Sequence, residues 1–252
     1  GHRVGGNAWN DAVHAERNCV AAFTPDAKEA KNYLKNGITV AQSAKLDGIF
    51  RGRGFVTSFG SGLPNDLLLR PLSWHFLSFD KGSSKQEYPG SLMGVIALIR
   101  QTLNDADWYR LAQASYKLNP NQKMPEFNSA IEALASIKGE RVVFESDDVL
   151  SLLRADKLSK EFGIPSIEVG SGREYAWIKQ IAATGATLIL PVDFPDPPQV
   201  KTADDELDVT LATLRHWEMA LSNPKILADN KIDCAFTTYR LKDKSDFLEN
   251  VR

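Results

Sequence analysis

No apolar run in this chain approaches the roughly 20 residues needed to cross a bilayer, so a membrane-spanning role is excluded and a soluble domain is expected. Charge of one sign is also lacking: the formal net charge is −2, which gives no global attraction to nucleic acid or to an anionic surface. Cysteine is scarce. Cys19 and Cys234 lie far apart and form no CxxC pattern, so two buried free thiols are expected and the redox compartment stays open. Histidine is scarcer than a metal cluster requires, with four scattered residues and no His-x-His. There is no GxSxG elbow for a serine hydrolase, no P-loop Lys-Ser/Thr, no dinucleotide fingerprint, no short-period repeat and no low-complexity tract.

What is present is ordinary globular composition, 43% hydrophobic and 25% charged over 252 residues, enough for one large α/β domain or two small ones. Four segments in the second half read as an apolar run followed by an amphipathic helix: Arg141–Glu145, Pro165–Val169, Ala186–Leu190 and Ile232–Phe236. Short β-rich runs separated by helix-length stretches predict parallel strands with helical crossovers. The helices that follow are placed at 147–162, 173–183, 205–219, just after Pro224, and from 243 to the end.

The first half is more irregular. A helix is predicted over 26–36, begun near Pro25 and stopped by Gly37, then strands over 38–41 and 55–59, and an extended stretch over 67–79 interrupted at Pro71. Residues 91–118 form the longest helical pattern, with Leu92, Val95, Ile96, Ile99, Leu103, Trp108 and Leu111 at helical spacing. A shorter helix is expected over 127–137. Asp47 to Gly54 reads as a Gly-rich loop.

Several motifs occur in a fixed order: Asn36-Gly-Ile-Thr-Val40, then Leu46-Asp-Gly-Ile-Phe-Arg-Gly-Arg-Gly54, then Ser91 to Thr102, then Val142-Val-Phe-Glu-Ser-Asp-Asp148 leading into Ala155 to Gly163, then Ile167-Glu-Val-Gly-Ser-Gly-Arg-Glu-Tyr175. In this order the chain resembles the amidohydrolase superfamily, and within it the imidazolonepropionase-related branch. The resemblance implies an α/β fold, a (β/α)₈ TIM-type barrel of the metal-dependent hydrolase kind. It is only partial here, with the N-terminal strand or strands missing. It also implies hydrolysis of amide C–N bonds by a divalent metal such as zinc, which makes bound water a nucleophile near neutral pH.

The departures from that pattern matter as much. The family's His-x-His strand would lie upstream of Gly1, its first mid-strand histidine falls at Glu145, the next near Gly170, and its last aspartate near Thr238-Tyr239. No metal is therefore expected in this segment, which is read as inactive by itself. The opening Gly1-His2, with no Met and no leader, reads as a remnant of tag cleavage, and residues 1–252 read as one barrel segment excised from a longer chain. A degenerate barrel kept as a binding or scaffold domain beside an active amidohydrolase domain is the alternative. Any export signal would lie outside the segment, so the compartment is open. The expected partners are the remainder of the parent chain and a small-molecule amide, with no nucleic acid and no membrane.

In parallel barrels the chemistry sits at the C-terminal strand ends. Glu145 is there, as candidate ligand or general base. Asp147 is expected to cap the following helix, with Asp148 favoured by its dipole. Arg51 and Arg53, among three glycines, are candidate carboxylate-binding groups, the alternative being a structural loop pinned by the arginines. Asp193, after the third strand, is a further binding candidate. His2 is terminal, and His14 is expected in a surface contact with a carboxylate of its own loop. His75 is expected to be a hydrogen-bonded barrel residue opposite Trp74 and Phe76, and His216 a structural helix residue. Trp108-Tyr109, Trp177 and Trp217 are expected to pack helices on the barrel.

Overall fold

The computed structural model describes residues 8–252; Gly1 and His2, with the expectations placed on them, lie outside these. The chain divides into two compact units, one comprising the chain through Glu145 with Lys157–Ser166, the other Ser146–Asp156 with Ile167–Arg252.

The first unit begins with a short 3₁₀ turn at Cys19–Ala22 and helix α1 (Ala27–Lys35). Asp26 caps α1 by accepting from the backbone N–H groups of Lys28 and Glu29, which holds its carboxyl below the usual range. Strands β1 (Val40–Ser43), β3 (Phe55–Ser58) and β4 (Leu68–Arg70) form an antiparallel sheet in the order β1-β3-β4, with the one-turn helix α2 (Pro64–Leu67) before β4. A second set is β2 (Phe50–Arg53), antiparallel to β5 (His75–Ser78), which in turn runs parallel to β6 (Val142–Glu145).

Between β5 and β6 lie α3 (Leu92–Leu118) and α4 (Ser129–Leu134), packed on each other. Ser91 caps α3 by accepting from Gly94 N–H at 3.2 Å. Its buried face, Val95, Leu98, Ile99, Leu103, Ala106 and Tyr109, follows the three-and-four spacing that a one-sided helix requires.

The Gly-rich stretch predicted as a loop over 47–54 contains strand β2 at its centre. The register shifts between Phe50 and Gly52, and Gly52 has φ +83°, so the strand bulges there, as glycine permits. A Cβ on Gly52 would stand 2.2 Å from the Arg17 carbonyl oxygen. The glycines bring backbone to backbone: Ile49 N–H donates to Ala12 O and Arg53 N–H to Arg17 O, each at 2.8 Å.

The second unit contains β7 (Ser166–Val169), β8 (Thr187–Pro191) and β9 (Cys234–Thr237), all parallel, with β8 in the middle. Helix α5 (Val149–Phe162) belongs in part to each unit. It is followed along the chain by α6 (Ile178–Thr184), α7 (Ala203–Asp208), α8 (Leu211–Ala220), α9 (Asn223–Asp229) and α10 (Phe247–Val251). Val149, Leu152, Ile181, Leu188, Leu190, Leu227 and Ile232 form one apolar cluster. Burying each such side chain contributes about 1.5–3 kcal/mol, which is what holds strands this short.

Four expectations are corrected here. The helix predicted over 205–219 is two, because Thr210 adopts an extended conformation and caps α8 through Thr213 N–H. Asp148, not Asp147, caps α5, accepting from Ser151 N–H at 2.8 Å; Asp147 reaches Arg240 at 3.0 Å instead. Tyr109 is buried as expected, but Trp108, Trp177 and Trp217 are all exposed. Both cysteines are free and half-buried rather than buried. Among the described residues no helix is long and apolar enough to cross a membrane.

Candidate functional site

Two places collect the residues singled out from the sequence, one in each unit. In the first, Arg51 is almost wholly buried and its Nη1 pairs with Glu145, whose side chain is 12% exposed. Arg51 Nε also donates to Gly48 O at 3.0 Å. β2 supplies Arg51 and β6 supplies Glu145. The sequence-predicted carboxylate and the sequence-predicted guanidinium are thus brought together, each as the other's partner.

Arg53, two residues along β2, pairs with Glu140. Burial pushes the Glu140 carboxyl up, but the hydrogen bonds from Arg53 and Ser136 outweigh it and hold the group below its ordinary value. His75 is buried in the same neighbourhood. Burial is the main cause that lowers its imidazole to about 4, with the Arg53 charge adding to it and Glu140 and the Ala133 carbonyl opposing. Its Nε2 is buried without a hydrogen-bond partner. The expected hydrogen bond is therefore made on one side of the ring only. His14 contacts Glu16 on its own loop, Nδ1 to Oε1 3.8 Å, as expected.

The second place lies at the C-terminal ends of β7 and β8. Asp193 is here, two residues past β8, on a cavity of about 170 Å³ that is also lined by Arg173, His216, Leu190, Phe194 and Pro195. Partial burial pushes the Asp193 carboxyl up, against its own backbone N–H and the charges of Arg240 and His216. Burial pushes His216 down, as does Arg173, while Asp193 and Glu174 oppose. The Tyr175 hydroxyl and His216 Nδ1 are 3.2 Å apart. His216 is therefore not only a structural helix residue: it lines this cavity. Its helical context gave no sign of that, because the strand-end loops that meet it are remote in sequence.

Behind the cavity Glu174 is fully buried. Its Oε1 accepts from Ser171 N–H at 2.6 Å, Ser171 Oγ at 3.0 Å and Gly172 N–H at 3.2 Å, and its Oε2 accepts from Asn223 Nδ2 at 2.7 Å. Asn223 Oδ1 in turn accepts the Tyr175 N–H. Neither Glu174 nor Asn223 stood out in the sequence; a Ser-Gly-Arg-Glu turn after a strand was the available signal. Gly170, at the end of β7, stands where the motif pattern would place a histidine, and a Cβ there would come 2.8 Å from Glu174 Oε1 and 3.1 Å from a Leu190 methyl. Tyr239, two residues past β9, lies under the Arg240 guanidinium, 5.2 Å from ring centroid to carbon.

Comparison with solved structures supplies the fold. The amidohydrolase from Thermotoga maritima MSB8 superimposes with a TM-score of 0.73 at 14% identity, covering 94% of this chain and 61% of that one. This chain has the fold of an amidohydrolase. The chain spans less than two thirds of that protein's length. No family model and no curated protein matches the sequence.

The divalent metal that such a fold implies does not suit the donors present. Glu145 is engaged by Arg51, Gly170 offers no side chain and no room for one, and the Glu174 oxygens are turned to internal donors. Among the described residues no group of three or more His, Cys, Asp or Glu side chains is placed to hold a metal ion. A catalytic zinc takes about three such ligands.

Proposed function

We propose that this chain is an amidohydrolase-derived segment, a partial (β/α)₈ barrel related to the imidazolonepropionase branch, that does not itself perform metal-assisted hydrolysis of amide C–N bonds. The observation that carries the reading is the pairing of an amidohydrolase fold over 94% of the chain with strand ends that offer Glu145 already bound to Arg51, then Gly170, Asp193 and Tyr239. The order of motifs from Asn36 to Tyr175 supports the branch. Fold alone does not establish an activity, so the reading rests on the residues at the strand ends.

The test is elemental analysis of the purified chain after exposure to zinc, beside turnover of cyclic and linear amides, with the parent protein alongside. No stoichiometric metal and no turnover are expected from residues 1–252 alone. Stoichiometric metal, or amide hydrolysis that disappears in Glu145→Ala, overturns the proposal.

The buried Arg51–Glu145 pair favours one second reading, a degenerate barrel serving as a binding or scaffold domain beside an active amidohydrolase domain. A complete amidohydrolase domain elsewhere in the parent chain supports that reading; its absence removes it.

A further inference from the structure

The cavity at the ends of β7 and β8 contains two opposite charges that are not used on each other. Arg173 and Asp193 both line it, and neither makes a close ion pair among the described residues, although the charge of Arg240, itself paired with Asp147, also acts on Asp193. His216, on the same wall, feels both: the Arg173 charge lowers its pKa and the Asp193 charge raises it. The rest of the lining is mixed, with Leu190, Phe194 and Pro195 as an apolar corner beside the polar Ser171 and Asn223.

We propose that this cavity binds a short zwitterion, an amino acid of the size of alanine, β-alanine or γ-aminobutyrate, with its carboxylate on Arg173 and its ammonium group on Asp193. The proposal stands apart from the hydrolase reading, because it involves no metal and no bond cleavage.

Size sets the first limit. A cavity of about 150 Å³ holds a benzene-sized molecule, so the volume of about 170 Å³ seats six or seven heavy atoms, and a larger ligand would extend through its open mouth into solvent. Charge sets the second. A simple anion attracted to Arg173 meets the Asp193 carboxylate, and a simple cation attracted to Asp193 meets the Arg173 guanidinium. Only a molecule carrying both signs is attracted at both ends, which is how two opposite charges on one cavity become a device against the wrong ligand. Between the charges, a stem of one to three methylenes faces Leu190 and the Phe194-Pro195 corner.

The site is also held in shape before any ligand arrives. The turn that presents Arg173 is fixed by the three hydrogen bonds from Ser171 and Gly172 to Glu174, and Glu174 is fixed by Asn223 at the start of α9. Such preorganisation reduces the ordering cost of binding.

The experiment is an amide-resolved NMR titration of the whole chain with β-alanine, γ-aminobutyrate, alanine, acetate and methylammonium near pH 7. Saturable shifts centred on Gly172, Asp193 and His216 are expected with at least one amino acid. Acetate and methylammonium are expected to bind at least about tenfold more weakly. Arg173→Gln and Asp193→Asn should each weaken the amino acid by about tenfold or more, and Arg173→Lys should recover part of the loss. These side chains are solvent-accessible, so the variants should keep the fold, which circular dichroism checks. Equal binding of acetate or methylammonium overturns the proposal, as does the absence of shifts up to the solubility limit of all three amino acids. Unchanged affinity in both charge-removing variants overturns it too.

Discussion

Asn223 bonds to two successive residues of one turn: its Nδ2 donates to Glu174 Oε2 at 2.7 Å and its Oδ1 accepts the Tyr175 backbone N–H at 2.8 Å. Asn223 opens α9 and is buried, whereas Glu174 and Tyr175 belong to the 3₁₀ turn after β7. One amide side chain therefore satisfies a fully buried carboxylate and a backbone donor together.

Asn223→Ala should lower stability by about 2 kcal/mol or more, since it leaves a buried charged acceptor without one of its donors. Urea denaturation measures the change. Asn223→Asp should be worse, because it sets a second carboxylate against the first.

Arg51 and Glu145 predict a non-additive pair. Removing either partner alone leaves a buried charge and should destabilise by about 3–5 kcal/mol, whereas replacing both by apolar groups of similar volume should be nearly neutral. Arg51→Met, Glu145→Met and the double variant, compared by denaturant midpoints, complete the cycle. Additive losses would show that the two side chains do not act as a pair.

His75 sets a pH dependence. Its imidazole is held at about 4, below the ordinary 6.5, chiefly by burial. The folded state thus binds its proton less readily than the unfolded chain. Its full stability is present above about pH 6.5 and is lost as pH falls through about 4, with roughly 3 kcal/mol at stake. Denaturation midpoints from pH 7 to 4 should fall in the native chain, and His75→Gln should flatten that slope.

Gly170 forbids a simple repair of a metal site. A Cβ there meets Glu174 Oε1 and Leu190, and Glu174 is held by four hydrogen bonds, so it cannot swing away cheaply. Gly170→Ala should cost about 1–3 kcal/mol by overpacking, and Gly170→His should unfold the second unit rather than gain a ligand. Thermal melts followed by circular dichroism distinguish these outcomes.

Much of the second unit was legible because its strands are short apolar runs with clear breaks. β7, β8 and β9 fall within two residues of the predicted starts and ends, and α3 within one. The loop expected at 47–54 was not legible as a strand, since its pairing depends on Arg17 and on β5, and glycine masks the alternation. Asp147 and Asp148 are both good caps, and only the phase of α5 chooses between them. The exposure of Trp108 beside buried Tyr109 depends on which face of α3 meets α4. Glu145, Arg51 and Arg53 were legible as charged groups in significant places but not as one another's or Glu140's partners, because pairing across β2, β5 and β6 is long-range. His216 and Arg173 come together only once α8 lies over the ends of β7 and β8.

The register of β5 on β6 carries a consequence for how this chain reaches its native state. His75 pairs with Val142 and Ser78 with Glu145, so the parallel ladder closes only after the whole intervening stretch, with α3 and α4, has been drawn into a loop. Non-local pairing of this kind pays its loop-closure entropy before any ladder bond is gained. The α3–α4 pair, formed from neighbouring segments, should therefore gain protection against hydrogen exchange early in refolding, and the amides of β6 only later.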